Sequence, residues 1–294
     1  MSNRDRDHVP ELAGNDLILE TIIKLIRDDD PETRRNAAIS LFNIACADQN
    51  TVKLVRYKDG LILEVLMQCI SSDDDDSVEI LNDIKINAAE ALFNISCSSI
   101  EETTDKMASH AGLLETLAVA LRSPVGSKDV KLYCAATLRR MAEIIHFPKR
   151  SQLELLSALV KAAVWTRTAC IADAFLSQSR FPDNRPILVE HNGLLNALSK
   201  QALTPGGSEA ESIRKTAVSA IEHLSREESI RPILSQHEGI MLAMTRASIM
   251  SSSVNESSSR LEVSAQDDDR SAGSSSSAVN RRLQMALKHL VGAM

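Results

Sequence analysis

Aromatic residues make up only 3% of the 294 positions, and the chain holds just eight prolines and ten glycines. With 44% hydrophobic residues whose polar and apolar runs alternate at a helical and not a strand period, this argues for an all-α, soluble protein. Positive charge is not in excess either. The formal net charge of −7 disfavours nonspecific binding to nucleic acid or to an anionic membrane and makes a neutral or basic partner the default. No uninterrupted apolar run approaches membrane-spanning length, and the opening MSNRDRDHVPEL has no apolar centre to act as a secretory signal, so a cytoplasmic or nuclear protein is expected. The five cysteines, Cys46, Cys69, Cys97, Cys134 and Cys170, form no CxxC pair and have no histidine at ligand spacing. That speaks against zinc and against a disulfide framework, and most of them, Cys97 and Cys134 included, are expected to be reduced core residues. No phosphate-binding glycine loop and no HExxH is present, so neither catalysis nor a cofactor is expected.

What the chain does have is a recurring stretch, RRNAAISLFNIA at residues 34 to 45. Ala38, Leu41, Ile44 and Ala45 fall at helical spacing on one face, widened by Ala37 and Phe42, while Asn43 points the other way. The stretch INAAEALFNIS at 86 to 96 repeats it closely: Asn36, Ala37, Ala38, Leu41, Phe42, Asn43 and Ile44 return as Asn87, Ala88, Ala89, Leu92, Phe93, Asn94 and Ile95. In YCAATLRRMA (133 to 142), Ala135, Leu138, Met141 and Ala142 keep the apolar places and Arg140 takes that of the asparagine. In IRKTAVSAIEHLS (213 to 225) the place falls to His223, and in the closing NRRLQMALKHLVGAM to His289. The fourth copy, TACIADAFLSQ (168 to 178), aligns in two registers, with either Ala174 or Ser177 at the asparagine place.

Between these copies the segments follow a common order. DDDPET ends the first apolar helix (15 to 26), with Asp30 placed to cap the next helix and Pro31 at its first position. A short amphipathic helix at 50 to 60 ends in an Asp-Gly pair suited to a left-handed helix stop. Glycine then leads a second helix in GLILEVL, GLLETL, GLLNAL and GIMLAM, although the fourth unit, SQLELLSALVKAAV, lacks it. Asp73 to Asp76 reads as a solvated loop, because four adjacent side chains do not make a calcium cage. Ser251 to Ser277 has the composition of a flexible insertion. The expected organisation is a polar tail at 1–14, helical repeats over 15–248, a Ser-rich insertion at 249–278 and a terminal helix at 279–294 that completes the last repeat.

Units of roughly 40 to 50 residues, each built from a short helix, a Gly-led helix and an A-x-x-L-x-N-[IL] helix, imply an α-solenoid of about six repeats. The pattern resembles the armadillo repeat family. The resemblance implies a right-handed superhelix whose third helices line a concave groove, where the asparagine near each helix end pairs with the backbone of an extended peptide. By match, Asn43 and Asn94 carry that role, with Asn36 and Asn87 two turns away on the same face. One amide supplies a donor and an acceptor, so it can hold a peptide group whatever its side chain. Arg140, His223 and His289 in the later units suit acidic or phosphorylated groups better. Importin-type members carry tryptophan four residues before the asparagine. Here those places hold Ile39, Glu90, Ala136, Ser219 and Met285, the sole Trp165 lies elsewhere, and no basic autoinhibitory segment opens the chain. The function expected is that of a non-catalytic, monomeric scaffold or adaptor whose partner is a protein or extended peptide segment, not nucleic acid or a membrane. The alternatives are a nuclear-transport or chaperone cofactor on the same repeats and, behind these, an enzyme.

Overall fold

A computed structural model of the chain describes residues 12–72, 78–123, 126–144 and 150–249, together with Met285, Ala286, Lys288 and Leu290. The acidic run Asp73 to Asp76, most of the polar tail, the Ser-rich insertion beyond residue 249 and His289 lie outside the described residues. Among those described, the ordered elements are all helical.

Helix α1 (Asp16–Ile26) starts where the Asn15 side chain accepts hydrogen bonds from the Leu17 and Ile18 amides at 3.0 and 3.4 Å. It buries Leu19, Ile22, Ile23 and Ile26, a stripe at i, i+3, i+4 and i+7. Helix α2 (Pro31–Ala45) begins as its sequence indicates, with Pro31 in the first turn and the Asp30 carboxylate accepting from the Thr33 amide at 2.9 Å. Those hydrogen bonds to Thr33 hold the Asp30 carboxyl below its usual range. Its buried face is Ala37, Ala38, Leu41, Ile44 and Ala45, and only small residues at the first two places let a neighbouring helix come close.

The same plan recurs. Helices α3 (Asp48–Arg56), α4 (Leu61–Ser71) and α5 (Glu79–Ser96) make one full unit, and α6 (Glu101–Ser109), α7 (Leu113–Arg122) and α8 (Lys128–Ile144) the next. The fourth unit is shorter, with α9 (Arg150–Trp165) followed by the 11-residue α10 (Ala169–Ser179). Helices α11 (Asn184–Glu190), α12 (Leu194–Ala202) and α13 (Ser208–Ser225) form the fifth. After a 3-10 turn (Glu228–Ile230) come α14 (Arg231–Gln236) and a helix α15 at 238–249.

The chain forms two compact units, Met1–Ala174 and Phe175–Met294, with α10 crossing the boundary. In the first, third helices pack on third helices (α2 on α5, α5 on α8), second on second (α1, α4, α7, then α9), and α3 on α6. Each apolar stripe is thus covered by its neighbours in the row, as a stacked repeat requires. A small polar contact ties α3 to α6, where Thr51 Oγ1 lies 2.8 Å from Ser98 Oγ and 3.4 Å from Thr103 Oγ1. In the second unit α12 packs on α13 and α11 on α12 over a core that includes Leu188, Leu198, Ile221 and Leu224. Met285, Ala286, Lys288 and Leu290 are helical, with Ala286 and Leu290 buried.

Two glycines at the starts of second helices are required for different reasons, although Gly239 is already the second residue of α15. Gly60 has φ +96°, and a side chain there would also lie 2.7 Å from His110 Nδ1. The left-handed stop is longer than the Asp-Gly pair suggests, since Lys58 and Asp59 also have positive φ, 43° and 58°. An ion pair between Lys58 and Glu20 of α1 anchors that turn. Gly239 has no positive φ; a Cβ there would meet Ser199 Oγ at 2.8 Å, so the constraint is close approach of α15 to α12.

The cysteine expectation holds for Cys69 and Cys134, which are buried, the latter with its thiol pushed up to about 12 by burial. It fails for Cys97. That residue and Cys46 are exposed, because both follow the last turn of a third helix, three residues past the asparagine and outside the buried stripe.

Candidate functional site

The buried stripe assigns the register of every third helix. In α5 the buried residues Ala88, Ala89, Ala91, Leu92, Ile95 and Ser96 bracket a half-exposed Asn94. In α10 the matching set is Ile171, Ala172, Ala174, Phe175, Gln178 and Ser179, and Ser177 stands half-exposed at the place of Asn94. Ala174 is fully buried. Of the two alignments open in the sequence, the one with Ser177 is therefore the structural one, and the row reads Asn43, Asn94, Arg140, Ser177, His223.

Asn43 and Asn94 lie at the same point of two helices that pack directly on each other. Among the described residues the Asn43 amide makes no hydrogen bond, and Asn94 Nδ2 points at Cys46 Sγ at 3.3 Å. Sulfur is a weak acceptor, so the Asn94 amide gives up little on meeting a better one. Asn36 is exposed, whereas the half-buried Asn87 already donates to the Asp83 carbonyl at 2.7 Å. Between α5 and α8 the rings of Phe93 and Tyr133 meet with their centroids 6.0 Å apart. Burial, and then the hydrogen bond with Glu90, raises the Tyr133 hydroxyl above its ordinary value. The places four residues before the row are half-exposed at Ile39, Glu90, Ala136, Asp173 and Ser219, and Met285 is exposed.

Arg140 and His223 carry less free charge than their residue types suggest. Arg140 and Arg139 both form ion pairs with Glu143, so that carboxylate is held by two guanidiniums of its own helix. The His223 imidazole is pushed down to about 4, first by burial and then by Arg226, Arg185 and Arg180, so it is neutral at pH 7. Its ring meets the Ser179 carbonyl, and its Nδ1 is buried without a partner. The positive charge of this part of the chain sits on those three arginines, which single-residue matching to the asparagine place passes over. A signal for them was present in the sequence, since SRFPDNRPIL at 179 to 188 recurs as SREESIRPIL at 225 to 234.

Among the described residues no group of three or more His, Cys, Asp or Glu is placed to hold a metal ion, and no helix is long and apolar enough to cross a membrane. No protein-family model matches the chain, and no curated protein matches its sequence. Solved structures do. An engineered protein matches at 20% identity over 93% of this chain and 96% of its own, with a TM-score of 0.57. A designed armadillo repeat protein matches at 19% identity over 92% and 98%, also with a TM-score of 0.57. A chain from a structure of the interaction between cadherin and β-catenin aligns at 13% identity over 97% of this chain and 63% of its own, with a TM-score of 0.49. Helical triplets stacked third helix on third helix, and the likeness to a designed armadillo protein along nearly the whole chain, make this an armadillo-type α-solenoid.

Proposed function

We propose that the chain is a non-catalytic protein-binding scaffold or adaptor that holds an extended partner segment along its third helices, gripped first at Asn43 and Asn94. One observation carries this reading: two uncommitted or weakly committed amides occupy the same register on directly packed helices. Asparagine is a mediocre helix residue, and this repetition on the solvent side adds nothing to the core. A primary amide there can accept from a peptide N–H and donate to a peptide C=O, and successive amides can hold successive peptide groups of an extended strand. Asn36 extends the grip along α2. Asn87, already bonded to Asp83, contributes its carbonyl oxygen. In the same reading the Ala286–Leu290 segment is the third helix of a sixth repeat, because Ala286 and Leu290 are buried at the places of Ala91 and Ile95 while Met285 is exposed.

The test replaces Asn43 and Asn94 by alanine together and measures affinity for a partner recovered with the wild-type chain. Losing two to four neutral hydrogen bonds at about 1 kcal/mol each weakens binding by roughly tenfold or more. Unchanged affinity in a variant with intact helical signal would sink the proposal.

A further inference from the structure

Residues three places beyond the asparagine row change character along the chain. They are Cys46, Cys97 and Glu143 after α2, α5 and in α8, but Arg180 after α10 and Arg226 after α13. Both arginines are exposed, and among the described residues neither guanidinium has a hydrogen-bond or ion-pair partner. The repeated Ser-Arg-x4-Arg-Pro-Ile-Leu motif explains how they are presented. In each copy the second arginine folds back onto the end of the preceding third helix. Arg185 Nε donates to the Ser179 carbonyl at 3.0 Å and its Nη2 to the Arg180 carbonyl at 3.3 Å, while Arg231 Nε donates to the Ser225 carbonyl at 2.9 Å. A cation is favoured at the carbonyl end of a helix, which offsets the cost of burying Arg185 to 8% exposure. Arg185 thereby fixes the backbone from which Arg180 emerges.

His223 sits among these groups, its ring near the Ser179 carbonyl and its Nδ1 buried. Arg180, Arg185 and Arg226 all act on it, and Glu227 is the carboxylate that acts on Arg185. This is an excess of positive charge in a chain whose formal net charge is −7. Arg226 acts on Arg185 as a like charge, and an anion placed near them lowers that repulsion and accepts guanidinium N–H groups.

We propose that Arg180 and Arg226, braced by Arg185 and beside His223, form a receptor for an anionic side chain, carboxylate or phosphate, on the bound segment. The inference rests on the reading that a peptide follows the third helices, but the receptor lies wholly within the second unit and is tested separately.

The full chain is titrated with three labelled octapeptides of glycine and serine that differ at one central position, carrying phosphoserine, glutamate or serine. Fluorescence anisotropy gives affinity, and the Arg180, Arg226 and His223 side-chain resonances report the place. The phosphoserine or glutamate peptide should bind saturably and the serine peptide should not; the tighter of the two anionic peptides names the source of the charge. Arg180→Gln with Arg226→Gln should weaken binding by about tenfold or more, whereas Arg167→Gln, at an exposed arginine of the other unit, should leave it unchanged. If the double variant fails to fold, Arg226→Gln alone carries the test with a smaller loss. No saturable binding of either anionic peptide, or binding indifferent to the arginine substitutions, overturns the proposal. Asn43→Ala with Asn94→Ala should not alter binding of these peptides, so failure of the asparagine ladder and failure of this receptor are read apart.

Discussion

At the scale of single residues, the chemistry of a side chain is decided by what surrounds it. His223 is a histidine that does not act as a cation. Its folded value is about 4 against an ordinary 6.5, set first by burial and then by Arg226, Arg185 and Arg180. The sign of the consequence follows from linkage. Between pH 6.5 and 4 the unfolded chain binds a proton that the folded chain refuses, so acidification through that window lowers stability. NMR titration of the His223 ring should show a midpoint near 4. Replacing Arg180 and Arg226 by glutamine should raise it, and His223→Gln should remove this residue's share of the pH slope. The neutral state of His223 was not legible in the sequence, because it depends on neighbours that the fold alone assembles, whereas the pairing of Arg140 with Glu143 spans three residues of one helix and needed only the helical period. The Asn43 and Asn94 match was legible, since it needed only the local period. Arg180 was missed because its place depends on the register of the fourth repeat, where the sequence allows two alignments and burial chooses one.

At the scale of elements, caps and turns delimit the helices. Apolar periodicity, the Asp30-Pro31 start and the Gly-led second helices were readable from residue types, and the helices begin where those signals stand. Two features are set by the tertiary fold. The turn before Gly60 recruits Lys58 and Asp59 into left-handed geometry, and Gly239 is required by the approach of Ser199 and not by its own backbone angle. Asn15→Ala removes the acceptor of the Leu17 and Ile18 amides and should cost about 1 kcal/mol of stability in chemical denaturation. Gly60→Ala meets both a positive φ and the His110 ring, and should cost roughly 2 kcal/mol or more. A Gly60→Ala variant as stable as the wild type would show that this turn relaxes freely.

At the scale of the whole molecule, stacking explains why the best-preserved copies of the repeated helix lie in one row. Leu41, Leu92 and Leu138 occupy equivalent buried places on α2, α5 and α8, each helix covering the next. Stability in such an array is a sum over units and neighbouring interfaces. Leu92→Ala in the middle of that row should cost about 2–5 kcal/mol. Amide exchange should rise in α2, α5 and α8 while α12 and α13 keep their protection. Uniform loss of protection along the chain would contradict nearest-neighbour stacking.

Site-specific photo-crosslinking shows which surface of the first unit meets a partner. A photoreactive side chain is placed in turn at Ile39 on α2 and Glu90 on α5, and at Lys53 on α3 and Lys106 on α6. If the third helices carry the partner, it is captured from Ile39 and Glu90 and not from Lys53 or Lys106, and capture falls when Asn43 and Asn94 are alanine. Capture from the first-helix positions, undiminished by those two substitutions, would contradict third-helix binding.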